Sequence, residues 1–418
     1  MVGFVRMFYR LTLISVVVLF SCGSAMANNS DRDWLQLSGF GTLGITETDS
    51  ETIGFRNDFS QNQIAYEGDY STAPLSNLGI QMDALINSEW DAVVQWVYRE
   101  QDKHDLDALT TMAFIRYSPS ANWQFRAGRT AIDLFHLSEY RDVGIAYTWA
   151  KVPTEVYGFV PSRHIDGVDA QLFKDYNGVN FTLKGYYGEF ESDFTSSGYD
   201  PISFKDITGV RLTAETFDWS ISLRHTQARV ESNNQTIQFV VDEIINAEPL
   251  WPSSPEFADK LSMDDKSLSY SSLSGQYNFS PFLVMGEFAY ISSQSSVLES
   301  VRNGYLSVIY QSDAHSFHLT QSFTDSTAYY FDEFVLSPQL LAPLIDAVER
   351  QLNAFATDQI TRSIGWRFDV TPSVAVKAQW DNTEYKGRGS SLLGSELILT
   401  ERANGSLNSV HATVSFSF

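Results

Sequence analysis

The chain has 418 residues, with 51 acidic against 28 basic side chains and a formal net charge of −23. Such an acidic chain repels nucleic acid, whose binding depends on Lys and Arg neutralising phosphates, so no nucleic-acid partner is expected. The single cysteine, Cys22, lies near the amino terminus, which excludes disulfides, zinc-thiolate sites, attached haem and iron-sulfur clusters from the rest of the chain. No cofactor is expected.

The first 27 residues are predicted to be a signal peptide for Sec-dependent export. Arg6 and Arg10 give the segment a positively charged start, a short apolar stretch follows, and the segment ends in the small-residue motif Ala25-Met26-Ala27. The apolar stretch is too short to span a bilayer as a helix. Cleavage would leave residues 28–418 as a mature domain with a net charge of −25. The alternative is a lipoprotein signal, "LFSC", in which Cys22 becomes the lipidated first residue.

The mature segment contains repeated stretches of about ten residues in which polar and apolar side chains alternate. A period of two is typical of strands with one apolar and one polar face. Sixteen such strands are predicted, in the order WLQLSGFGTLGIT, NLGIQMDALIN, WDAVVQWVYRE, TTMAFIRYS, WQFRAGR, VDAQLFK, VNFTLKGYY, ITGVRLTAETF, WSISLRHTQA, SLSYSSLSGQYNF, PFLVMGEFAYI, GYLSVIYQS, SFHLTQSFT, TRSIGWRFDV, SVAVKAQWDN and the closing SLNSVHATVSFSF.

Tight turns alternate with long connections along the predicted strands. Turns such as Tyr176-Asn177-Gly178 and Ser280-Pro281 contrast with the segments Thr130 to Gly167, Val230 to Lys266 and Asp325 to Gln359. This rhythm indicates a transmembrane antiparallel β-barrel with short periplasmic turns and long extracellular loops. A closed barrel leaves no unpaired strand edge in hydrocarbon.

Aromatic residues cluster at strand ends beside the short turns, as expected for a girdle at the periplasmic interface. A soluble β-sandwich would also favour aromatic residues in its strands, and this alternative remains open. The residues concerned are Trp34, Trp90, Trp123, Trp219, Tyr277 and Phe282.

Charged residues fall on the polar phase of the strands, which is assigned to the barrel interior. A water-filled passage explains them most simply, and the alternative is a plugged barrel in which they form buried ion pairs. The basic set is Arg99, Arg116, Arg126, Lys184, Arg211, Arg224, Arg367 and Lys377. The acidic set is Asp83, Asp169, Glu215, Glu287, Asp369 and Asp381.

The last strand alternates strictly and ends in phenylalanine, so Phe416 and Phe418 are predicted to face lipid. In this feature the chain resembles Gram-negative outer-membrane proteins, and over residues 28–418 it resembles the trimeric porins. The resemblance implies an outer-membrane channel for passive diffusion of small hydrophilic solutes and ions, a homotrimer, contact with membrane lipids and lipopolysaccharide, and recognition of Phe418 by the barrel-assembly machinery. It implies no enzymatic activity.

The third loop departs from the general porins, because it lacks their Pro-Glu-Phe-Gly-Gly run. In this it is closer to the porin-like proteins of marine gammaproteobacteria. Pore residues of the general porins therefore cannot be transferred to this chain.

Motifs for catalysis or metal binding are weak. The glycines Gly39, Gly41 and Gly44 match a dinucleotide fingerprint but lack the following helix, so they are predicted to be small residues of the first strand. His315 and His318 are the nearest pair of histidines, and no metal site is expected there. No catalytic set is nominated. An outer-membrane lipase or protease, and a structural or adhesive barrel, remain alternatives.

The segment SPQLLAPLIDAVERQLNAFA carries apolar residues at helical spacing and is predicted to form a helix in the loop between strands thirteen and fourteen. It is expected to pack over the barrel mouth.

The third loop is expected to fold into the lumen and narrow it, as in the porins that the chain resembles. Its acidic residues are expected to face basic wall residues across a wet gap, with the overall acidic charge slightly favouring cations. The alternative is that these pairs simply pin the loop. The predicted constriction residues are Asp133, Glu139, Arg141 and Asp142, and the wall residues are Arg99, Arg116 and Arg126.

Overall fold

A computed structural model describes residues 34–192, 202–231, 235–326, 336, 339–395, 397 and 401–418. The predicted signal peptide, with Cys22, lies outside these residues. Within them, sixteen antiparallel strands close into a barrel, which confirms the predicted fold class. The strands are β1 Leu35–Thr48, β2 Asn77–Leu85, β3 Trp90–Arg99, β4 Thr110–Ser120, β5 Trp123–Ala131, β6 His164–Tyr176, β7 Val179–Ser192, β8 Ile202–Glu215, β9 Trp219–Glu231, β10 Ser267–Phe279, β11 Phe282–Ser293, β12 Val301–Ser312, β13 His315–Ser326, β14 Thr357–Thr371, β15 Val374–Ser390 and β16 Gly405–Ser417.

Alternation along each strand decides which side chains face lipid. On β7, Leu183 is 45% exposed, whereas its neighbour Lys184 is 1% exposed and turned inward. A Lys or Arg facing the middle of the bilayer would cost about 2–4 kcal/mol, so the charged phase is held on the interior side. The predicted orientation is confirmed for Lys184 and for other charged residues that contact the loop lying inside the barrel, such as Arg224, Glu287 and Lys377.

The barrel closes through β1 and β16, and the glycines of β1 make this closure possible. Gly39 and Phe418 exchange two backbone hydrogen bonds of 2.9 Å, and Gly41 lies opposite Phe416 in the register. A Cβ on Gly39 would lie 2.3 Å from the Phe418 ring, and one on Gly41 would lie 2.7 Å from the Phe416 ring. The glycines therefore leave space for the terminal aromatic rings, as expected for small residues of a barrel strand.

Turns of two to four residues join strands at one end of the barrel, and most connections at the other end are much longer. Asn177 and Gly178 both have positive φ, 52° and 76°, which fits a tight hairpin turn. The long loops contain the helices α1 Leu106–Leu109, α2 Thr154–Tyr157, α3 Gln235–Asn246, α4 Ser254–Leu261 and α5 Ala342–Leu352. No helix in the described part of the chain is both long and apolar enough to cross a bilayer.

Aromatic side chains are exposed on the outer surface near the short turns. Trp90 stacks on Tyr117 with ring centroids 4.4 Å apart, and Trp123 stacks on Phe125 at 5.8 Å. Tyr277 is also exposed. These rings fit the predicted girdle, in which amphipathic rings lie at the membrane interface.

The interior near the long loops contains an apolar core. The predicted helix is present as α5, whose Val348 and Leu352 are fully buried in this core with Phe355. Sixteen strands enclose a space too wide to be filled by wall side chains alone, and loop residues fill part of it. Burying each large apolar side chain is worth about 1.5–3 kcal/mol, which favours loops folded inward.

Candidate functional site

The connection between β5 and β6, residues 132–163 and here called loop 3, lies inside the barrel. Its polar groups bond to inward-facing residues on distant strands. The Trp149 indole donates to Thr320 on β13 at 2.9 Å, and the backbone N–H of His136 donates to Glu287 on β11 at 3.1 Å. Loop 3 therefore divides the interior near the long loops.

Asp133 binds loop 3 to the three consecutive strands β7, β8 and β9. Its carboxylate contacts Lys184 at 2.9 Å, Arg211 at 2.8 Å and Arg224 at 3.1 Å, and it is 1% exposed. Burial alone would raise the pKa of Asp133, but the three cations hold that pKa far below its usual range. The expectation that Asp133 faces the predicted wall arginines is wrong, because loop 3 turns Asp133 towards β7–β9 instead.

The opposite part of loop 3 is held by Lys377 on β15. Its ammonium group donates to the backbone carbonyls of Gly144 at 2.5 Å, Tyr147 at 2.7 Å and Trp149 at 3.0 Å. Arg367 on β14 also donates to the Tyr147 carbonyl, at 2.8 Å. Sequence reasoning placed both cations inside the barrel but missed these contacts, because backbone carbonyls carry no sequence signal.

The expected pairing of loop acid with wall arginine occurs once among the predicted residues. Arg126 contacts Glu139 at 3.3 Å and also Asp169 on β6 at 2.9 Å. The Glu139 side chain is 47% exposed. Arg116 contacts Asp91 of the neighbouring strand at 2.8 Å and no loop 3 residue.

The remaining predicted residues meet beside loop 1, residues 49–76. Arg163 contacts Asp58 of loop 1 at 3.0 Å and Asp142 at 3.1 Å, and Arg99 lies 3.5 Å from the same Asp58 carboxylate. Arg141 is buried and donates to carbonyls within loop 3. Asp142 is therefore paired inside its own loop and not with an arginine of the wall.

A polar cavity lies between loop 3 and the wall of β1, β2, β3, β15 and β16, and is here called the polar cleft. Its empty volume is about 610 Å³, including space open to solvent. Residues of loop 1, including Asn57 and Gln61, also line the cleft. Its charged lining residues are Arg99, Arg141, Asp142, Lys151, Arg163 and Lys377. Of the predicted constriction and wall residues, the structure brings Arg99, Arg141 and Asp142 to this cleft, and it places Asp133, Glu139, Arg116 and Arg126 elsewhere.

One arrangement resembles a catalytic triad but is enclosed. His411 lies 2.9 Å from the Thr46 hydroxyl, 3.0 Å from the Ser409 hydroxyl and 3.4 Å from Asp381. All four side chains are buried, so no reacting group could approach them. The set is a structural hydrogen-bond network between β1, β15 and β16.

The histidine pair His315 and His318 does not form a site. His315 is exposed and stacks on Phe368 with centroids 4.9 Å apart, whereas His318 is buried against Trp149 of loop 3. Three positions apart on one strand, they face opposite sides of the sheet. The described residues contain no cluster of three potential metal ligands.

Solved structures share this architecture at low sequence identity. The fold is similar to an anion-selective porin from Comamonas acidovorans, with 10% identity, a TM-score of 0.53, and 92% of this chain and 99% of the other covered. It is similar to the outer-membrane channel DcaP of Acinetobacter baumannii, with 12% identity, a TM-score of 0.53 and coverage of 92% and 97%. It is also similar to Salmonella typhi OmpF in complex with daunomycin, with 11% identity, a TM-score of 0.52, and 92% of this chain and 97% of the other covered.

A search of curated protein sequences found no significant match. A sequence profile described as Gram-negative porin matches residues 13–388, most of the chain. The profile match and the closed sixteen-stranded barrel agree on the class of protein. The chain therefore belongs to the Gram-negative porin family of outer-membrane channels.

Proposed function

We propose that this outer-membrane porin passes small hydrophilic solutes through the polar cleft and prefers anions to cations there. The observation that carries the proposal is the charge of the cleft. Among the described residues, five cationic side chains line it, whereas Asp142 is the one lining carboxylate. This refines the expectation that acidic loop residues and basic wall residues oppose one another at the constriction.

The positive excess remains when neighbouring carboxylates are included. Three of the five cations, Arg99, Lys151 and Arg163, contact the carboxylates of Asp58, Asp142 and Asp381. Among the described residues, the five cations and three carboxylates leave the cleft with two more positive than negative groups. Lys377 and Arg141 bond chiefly to backbone carbonyls, which reduce their fields without cancelling their charges. An anion in the cleft would therefore be attracted.

The acidic charge of the whole chain does not decide the preference. Charges on exposed loops are screened by salt over about 8–10 Å, whereas charges in a narrow gap with low-dielectric walls act on an ion at close range. The slight cation preference expected from the net charge of −23 is therefore replaced by an anion preference set at the cleft.

Reversal-potential measurements in planar bilayers under a salt gradient test this proposal. Arg99→Gln removes a cation that lines the cleft, and we expect the anion-to-cation permeability ratio to fall about two- to fivefold. Arg116→Gln is the matched control, since Arg116 also faces the interior but pairs with Asp91 away from the cleft. We expect the control to change the ratio little.

Cation selectivity of the unaltered protein would contradict the proposed preference. Equal effects of the two substitutions would show that the cleft is not the selective passage. Absence of any stepwise conductance would count against a conducting channel altogether.

We also propose that the protein is not an enzyme. The enclosed network around His411 supports this, since its hydroxyl, imidazole and carboxylate groups have no room for a substrate. Assays for lipase and protease activity on the reconstituted protein test the proposal, and turnover abolished by Asp381→Asn would refute it.

We propose a homotrimer, on the basis of the porin family to which the chain belongs. Mass measurement of the detergent-solubilised protein by light scattering tests this assembly. A monomer that nevertheless conducts would overturn the assembly proposal and leave the channel function intact.

A further inference from the structure

A second cavity lies on the other side of loop 3 from the polar cleft, against β7–β11 near the long loops. Its empty volume is about 710 Å³, including space open to solvent, and its lining is almost wholly apolar. Loop 3 contributes Ile132, Leu134, Phe159 and Val160 to its wall. We call it the apolar cavity.

Aromatic rings form much of this wall. Phe190 of β7 stacks on Phe204 of β8 with centroids 4.8 Å apart, and Phe159, Phe355 and Tyr270 complete the aromatic lining. Rings in such a lining favour an aromatic guest, through offset or edge-to-face contacts. Cavities lined by Leu, Ile and Phe side chains bind small aromatic molecules such as benzene.

Two polar groups in the lining have unused hydrogen-bonding capacity. Among the described residues, neither the Tyr270 hydroxyl nor Oε2 of Glu299 has a hydrogen-bond partner. Tyr270 is 2% exposed, so bulk water does not satisfy its hydroxyl. Buried polar groups normally bond to protein, ordered water or a bound group, so both atoms are available to a guest in the cavity.

We propose that the apolar cavity binds a small neutral aromatic molecule that carries one hydroxyl group, of the class and size of a substituted phenol. The ring would occupy the space between the Phe side chains, and the hydroxyl would bond to Tyr270 or Glu299. The described lining residues include no cation, which disfavours an anion, and few polar partners, which disfavours a sugar. The site is independent of the ion preference of the polar cleft.

The environment of Glu299 agrees with a neutral guest. Burial raises the pKa of the Glu299 carboxyl to about 7, against a lowering effect from Ser326. A carboxyl group that holds its proton near neutral pH can still accept a hydrogen bond and does not require a neighbouring cation.

Equilibrium binding of p-cresol and toluene to the full barrel in lipid nanodiscs tests the proposal, with protein-free nanodiscs correcting for partition into lipid. We expect saturable binding of about one cresol per chain, because one cavity holds one ring. Tyr270→Phe should weaken cresol binding about fivefold or more but leave toluene binding unchanged. Tyr310→Phe, which removes an exposed hydroxyl from the outer surface, is the matched control.

Filling the cavity provides a second variant. Ala228→Phe places a ring among the lining residues and should abolish binding of both compounds. Ala214→Phe, on the lipid-facing side of β8, is its control, and conductance verifies that each variant folds. No saturable binding above empty nanodiscs, or unchanged binding in folded Ala228→Phe, would overturn the proposal. If Ala228→Phe does not fold, equal cresol affinity in Tyr270→Phe and Tyr310→Phe overturns the role of the hydroxyl.

Discussion

Replacing Asp133 by asparagine removes the carboxylate that contacts Lys184, Arg211 and Arg224, each within 3.1 Å. Asparagine has nearly the same shape, so the packing of loop 3 is retained while its charge is lost. The three cations then lie next to one another in a buried site without the carboxylate that contacts all of them. We expect this change to weaken the attachment of loop 3 to β7–β9.

The magnitude follows from the burial of the cluster. Breaking a buried ion pair by removing one partner costs about 3–5 kcal/mol, and Asp133 and Lys184 are each 1% exposed. Such a cost lowers the ratio of docked to undocked loop 3 by about two to three and a half orders of magnitude. The barrel itself is expected to persist, because its strand pairing does not depend on this carboxylate.

Single-channel recording and limited trypsin digestion measure the effect. Undocking should increase the conductance and its fluctuation, and it should expose Lys151 and Arg163 of loop 3 to cleavage. Glu139→Gln is the control, since Glu139 is on the same loop but is half exposed, and its partner Arg126 retains Asp169. An exposed pair is worth about 0–1 kcal/mol, so the control should behave like the unaltered protein.

Unchanged conductance, current noise and protease resistance in Asp133→Asn would refute the reasoning. The ion cluster would then contribute nothing to the position of loop 3, and its apolar contacts alone would hold it.

Three further predictions follow from the structure. Lys377→Met removes three hydrogen bonds to loop 3 carbonyls, and we expect increased channel noise without loss of the barrel, measured by single-channel recording and electrophoretic heat-modifiability. Gly39→Ala places a methyl group 2.3 Å from the Phe418 ring and should slow barrel assembly in folding kinetics, whereas Gly185→Ala, with its nearest neighbouring atom at 4.0 Å, should not. Burial raises the folded-state pKa of Glu299 to about 7, so the folded protein holds the proton more tightly than the unfolded chain. The resulting contribution to stability is fully present below the unfolded pKa near 4.5 and is lost as the pH rises through 7. Glu299→Gln should therefore resist urea better than the unaltered protein at pH 8 and have a smaller advantage at pH 5. An equal advantage at both pH values would contradict the raised pKa of Glu299.

The sequence alone was sufficient to predict the barrel because its information is local. Alternation with a period of two decides which side of a strand faces lipid. It predicts Lys184 inside the barrel, and the structure shows Lys184 turned inward with its neighbour Leu183 exposed. The closing strand was predictable for the same reason, since Phe416 and Phe418 share the apolar phase. The role of Gly39 was predicted only as that of a small residue, and the register with Phe418 supplied the reason.

The contacts of loop 3 were decided by the tertiary structure. Asp133 meets Arg224, and Lys377 meets the Gly144 carbonyl, across 91 and 233 positions of the chain. No periodic pattern in the sequence connects residues so far apart. The path of loop 3 through the lumen follows from the packing of its apolar side chains against the inner wall. The folded path of loop 3 therefore decides which charges line the polar cleft and which form buried ion pairs. The alternation of each strand decides only that its wall charges face the interior.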